Sequence, residues 1–216
     1  VMETQDGAFS EISTLNYGRL CYSLEKYEEA VNAYETLSQI AQLENNKLEA
    51  LVGKMKSYFM CRNYEQTIIE AKELLANQKA DNSMKRLGNY HLAKSMLATD
   101  KREEAIPLLE ALSKDKGDAI GAEATYLLIE DAYDTGDFTS VENRTFAFSE
   151  SGSGESYWLA RSFIVLGDSY VEQNNIEQAL ATFNSIKENY EPSGVNDDIA
   201  GLLKTRLDKL SKLNAQ

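Results

Sequence analysis

The order of apolar and polar positions along the chain reads as helices joined in pairs. Ile199, Leu202, Leu203, Leu207 and Leu210 recur at helical spacing and predict a helix from about Asn196 to Leu213. Upstream, the pattern breaks at regular distances and predicts pairs near 10–24 and 27–42, 45–61 and 64–77, 81–98 and 102–115, 118–135 and 138–149, and 155–173 and 176–190. One phrase is clearest: Phe163-Ile164-Val165-Leu166-Gly167-Asp168-Ser169-Tyr170, followed by Ala179 and Phe183. A small residue in the second helix of each pair sets the phase, as Ala30, Thr67, Ala105, Val141 and Ala179. These anchors stand 37, 38, 36 and 38 residues apart. Four places on, the chain has Tyr34, Leu109 and Phe183 in units one, three and five, against Ala71 and Thr145 in units two and four.

The turns repeat in the same phase. Asn63, Asp137 and Asn175 precede second helices, where each can cap an orphan backbone N–H. Asn63 with Gln66, and Asn175 with Gln178, have capping-box spacing. Gly136 fits a left-handed helix end. Pro107 falls about one turn inside its helix, where few hydrogen bonds are lost. Ser151-Gly152-Ser153-Gly154 reads as a break before the fifth pair. The repeat region is thus expected over 10–191, in units of about 10–42, 45–77, 81–115, 118–149 and 155–190, with a capping helix over 195–213. Residues 1–9 are expected to lie outside the fold, as a disordered or added leader, and Val1 ahead of Met2 reads as an excised piece.

Such spacing and residues resemble the tetratricopeptide repeat family, most closely in unit five and next in unit one (Gly18, Ala30, Tyr34, Leu37). The stretch from Tyr157 to Tyr190 also resembles the closing section of long bacterial members, some of which work in the cell envelope. The resemblance implies an all-α, right-handed superhelical solenoid of about five hairpins with a C-terminal capping helix. It also implies a non-catalytic role in binding a peptide or protein in a concave groove lined by the first helices. A terminal segment of a longer solenoid, its groove filled by its own chain or by an identical copy, is the alternative role.

The family's groove positions, counted from the anchors, give a ladder of side chains. Arg19, Lys56, Lys94, Glu130 and Asp168 form its charged rungs, three basic and then two acidic. Tyr22, Phe59, Leu97, Tyr133 and Val171 form a second line, and Leu15, Val52, Tyr90, Tyr126 and Ile164 a third. This face suits a partner acidic toward units one to three and basic beyond them. The chaperone-binding subclass needs Lys and Asn where this chain has Leu15 and Arg19, so that ligand is not expected.

Composition narrows the field. The net charge is −13, which repels a phosphate backbone and argues against nucleic acid. Residues 1–108 carry 13 basic and 16 acidic side chains, against 9 and 19 in residues 109–216. Two prolines in the chain agree with helices throughout. No apolar run reaches the length of a membrane span, and the start lacks the pattern of a signal peptide. Catalytic and cofactor chemistry finds little support. The lone His91, and Cys21 with Cys61, read as packing residues, too few for a zinc site. Trp158 reads as an inter-unit packing residue. Glu130-Asp131 with Asp134, facing Asp197-Asp198, is a disfavoured magnesium reading. Gly152 and Gly154 lack the Lys-Ser/Thr of a phosphate loop.

Overall fold

The structure, a computed structural model, describes residues 2–192, 194 and 197–213, and only the backbone of 2–9 and 213. The described residues form α1 (Met2–Ser23), α2 (Tyr27–Ile40), α3 (Glu44–Met60), α4 (Tyr64–Ala76), α5 (Asn82–Ala98), α6 (Arg102–Leu112), α7 (Ala119–Asp134), α8 (Phe138–Ser149), α9 (Ser156–Glu172), α10 (Ile176–Asn189) and α11 (Ile199–Leu213). No strand occurs among them. The fold is all-α, with helices packed in consecutive pairs as in a tetratricopeptide-like solenoid.

Helix ends depart from the expectation in three places. α1 starts at Met2 instead of near residue 10, because no proline interrupts the segment and a lone Gly7 costs a helix only about 1 kcal/mol. α6 stops at Leu112, and Asp115 then closes a side-chain turn by accepting from Gly117 N at 3.2 Å. The described part of the last helix starts at Ile199, whose N–H donates to Asp197 Oδ1 at 3.1 Å. Val1, Ser193, Val195 and Asn196 lie outside the described residues.

The chain forms two compact units, residues 1–108 and 109–216, with the boundary inside α6. In the first, α2 packs on both α1 and α3, and α4 on both α3 and α5. Its core holds Leu15, Tyr34, Leu37 and Ala50 at one end and Leu51, Met55, Leu74, Leu92 and Met96 further on. In the second, α9 packs on α7, α8 and α10, while α11 packs on α9 and α10. Ile129, Ile164, Leu166, Phe183, Ile199 and Leu210 belong to its single core. Each fully buried Leu, Ile or Phe contributes about 1.5–3 kcal/mol of transfer free energy.

Close packing explains the small residues. All five anchors, from Ala30 to Ala179, are fully buried. A Cβ on Gly53 of α3 would stand 2.4 Å from the Tyr34 ring of α2, and one on Gly167 of α9 would stand 2.3 Å from Phe183. These two glycines let an aromatic ring lie directly on a helix backbone.

The hairpin turns share one geometry. The residue two places before the second helix is left-handed in every pair: Glu25 (φ 60°), Arg62 (58°), Asp100 (59°), Gly136 (74°) and Asn174 (58°). The following N–H reaches back to the first helix, as Asn63 N to Tyr58 O at 2.9 Å and Asn175 N to Tyr170 O at 2.8 Å. This is the Schellman closure of a helix end. Asn63, Asp137 and Asn175 accept from Gln66, Ser140 and Gln178 N–H groups as N-caps.

Candidate functional site

In residues 1–108, the expected ladder forms a contiguous run of cations and rings. Lys56 of α3 sets its ammonium 4.6 Å from the centre of the Tyr22 ring of α1. Lys94 of α5 repeats the arrangement, 5.2 Å from Phe59 of α3, and also lies 4.8 Å from Tyr90. Lys94 Nζ donates to the Tyr90 hydroxyl at 3.0 Å. Each lysine therefore reaches back over the ring of the preceding pair, an attraction worth about 0.5–2 kcal/mol. Arg19 is exposed and pairs with Glu49 at 2.9 Å. Arg19, Tyr22, Glu49, Val52 and Lys56 line a cavity of about 150 Å³. Leu15, placed in the ladder by sequence, is buried in the core instead, since its helix turns that side toward Tyr34 and Leu37.

In residues 109–216, the acidic rungs have partners within the chain. Asp168 of α9 receives Arg206 of α11 through Nε at 2.7 Å and Nη2 at 2.6 Å, a two-pronged charge-assisted pair. Glu130 accepts the Tyr126 hydroxyl proton, and Arg161 Nη2 donates to that hydroxyl at 2.8 Å. Arg161 also pairs with Asp198 at 3.0 Å. Burial pushes the Glu130 carboxyl up, and the Tyr126 hydrogen bond opposes it. The Tyr126 ring is buried, 5.3 Å from Trp158, and Ile164 is buried in the core. Tyr133 is half-buried and packs on Phe138 at 6.0 Å. Sequence reasoning missed Arg161 and Arg206. A signal for the second existed: Arg206 follows Asp168 by 38 residues, one repeat length.

The remaining candidates take packing roles. His91 is buried, edge-on to Phe59 and Tyr90 at 5.1 Å each, with Nδ1 3.1 Å from Leu87 O. Desolvation, with Lys94 and Lys56 nearby, depresses its pKa to about 4 despite the Leu87 hydrogen bond. Cys21 is buried and Cys61 half-buried, both unbridged, and burial raises the Cys61 thiol. Among the described residues, no three His, Cys, Asp or Glu side chains converge as metal ligands. Among the same residues, no helix is long and apolar enough to cross a membrane.

Two tetratricopeptide repeat models match the sequence, over residues 15–42 and 162–193, the first hairpin and the last. The chain carries tetratricopeptide repeats in these two hairpins. No curated protein matches the chain in sequence. Among solved structures, its fold is similar to that of YrrB, described as a TPR protein with an unusual peptide-binding site. The match has a TM-score of 0.57 at 18% identity, over 82% of this chain and 84% of that one. Tetratricopeptide repeats serve as protein-interaction modules in general, and the fold is typically non-catalytic.

Proposed function

We propose that the first-helix face of residues 1–108 binds an acidic, partly apolar segment of another protein. The supporting observation is the ladder itself. Lys56 and Lys94 hold positive charge against Tyr22, Phe59 and Tyr90, beside a small cavity that ends at Arg19. Rings give contact area with few rotors to freeze, and the cations set partner charge and on-rate. YrrB's description as peptide-binding is consistent with this use of the fold.

The corresponding face of residues 109–216 has a different role in this proposal. Arg206 and Arg161 already answer Asp168 and Asp198, so we assign that face to internal closure by α11 instead of to a basic stretch of the partner. The reading of a self-filled groove is thereby kept for this half alone.

The test is a set of peptides of equal apolar content graded in net charge, titrated against the whole chain. Affinity should rise with negative charge and fall with added salt. The Lys56→Glu, Lys94→Glu double variant should weaken the acidic peptides about tenfold or more. Unchanged affinity in that variant would sink the proposal.

A further inference from the structure

One helix face carries apolar side chains where the other pairs bury theirs. The face is defined by contacts inside residues 1–108. Gly53, three places before the Lys56 rung, meets Tyr34 of the preceding pair. Gly88, six places before the Lys94 rung, would put a Cβ 3.4 Å from Leu74 of its preceding pair. That side of a first helix therefore faces the pair before it. The residue just after the rung lies on the same side: Ser57, Ser95 and Ser169 are all 0% exposed, and Asp131 of α7 is half-buried. Two places before the rung, Leu92 and Leu166 are buried, and Lys54 makes a 2.8 Å ion pair with the buried Glu70.

In α1 the same positions are Leu20, 54% exposed, and Tyr17, 53% exposed. Ile12 and Leu24 extend the exposed apolar stripe along the helix. Ser13 and Asn16, which stand where Gly88 and Gly53 stand in later helices, are exposed too.

We propose that this face of α1 is the docking surface for a further helical hairpin of the same repeat type, joined ahead of α1 and packed on it as α1 and α2 pack on α3. The repeat register names the occupant, because in α5 and α9 both positions, and in α3 the one after the rung, are buried in stacks of such hairpins. The register also constrains its chemistry. Asn16 has a side chain where Gly53 has none, so the docking helix carries a small residue at the place of Tyr34. The α3–α4 hairpin meets that requirement, with Ala71 at the equivalent position. This inference rests on the stacking register and is independent of the proposed peptide ladder.

A direct test puts a copy of residues 44–81 ahead of Gly7, so that the turn leading into α5 leads into α1 at the same phase. Hydrogen exchange of the amides from Ile12 to Leu24 should slow about tenfold or more in the extended chain. Leu20→Glu should remove that protection there, while leaving the stability of the unextended chain unchanged. The unextended chain should sediment as a monomer. Added helix without protection of α1, or no added helix at all, overturns the proposal. A dimer of the unextended chain that Leu20→Glu dissociates also overturns it, by assigning the face to a second copy.

Discussion

His91 shows how much one buried side chain can tie stability to pH. Its imidazole is held neutral between Phe59 and Tyr90, with Lys56 and Lys94 adding positive potential, and its pKa falls to about 4. The unfolded chain takes up this proton near the ordinary value of about 6.5. Between those values the unfolded state binds more protons, so the contribution is complete above the upper value. It is lost as pH falls toward the lower one. The difference amounts to on the order of 3 kcal/mol. Urea unfolding at several pH values should therefore show a steeper acid loss in the native chain than in a His91→Phe variant. Parallel curves would contradict the assignment. Sequence alone marked His91 as a packing residue beside Tyr90, but its other ring partner, Phe59, stands in an earlier helix that only the fold brings to it.

At the scale of the helix, the repeated turn carries a cost that can be removed. Glu25, Arg62 and Asp100 hold left-handed backbone without being glycine. An L-residue there costs about 1–2 kcal/mol, partly offset when glycine's extra freedom in the unfolded chain is counted. Asp100→Gly or Glu25→Gly should raise the thermal midpoint, by about 0.5–1 kcal/mol of stability, and Gly136→Ala should lower it by a similar amount. Gly136 advertised this geometry by residue type, and Asn174 less strongly. The caps Asn63, Asp137 and Asn175 were legible for the opposite reason, since their side chains carry the hydrogen bond themselves. The helices were legible because anchor spacing survives even where the letters fade, as at Thr67 and Val141, both fully buried.

Across the whole molecule, the acidic excess of residues 109–216 was plain in the sequence, but its internal partners were not. Glu130 and Asp168 read as rungs open to a ligand, because Arg206, which meets Asp168, and Arg161, which joins Glu130 through the Tyr126 hydroxyl, lie a repeat or so further along the chain. Arg206→Ala should loosen α11 and cost about 1–3 kcal/mol, as expected for a partly buried hydrogen-bonded ion pair left without one member. The loss should appear as faster hydrogen exchange in α11, with acidic-peptide binding unchanged. Weakened peptide binding in that variant would mean that the ladder of residues 1–108 does not act alone.

The reach of Lys56 over Tyr22, and of Lys94 over Phe59, places each cation–ring contact at a junction between neighbours. On the proposed function, recognition is written in the seams of the stack, and its alphabet is pairs of adjoining hairpins. Duplicating α3–α4 in place would add a Lys56 cation above a Phe59 ring, a junction absent from the present chain. Exchanging two hairpins would change several letters at once while leaving the composition untouched.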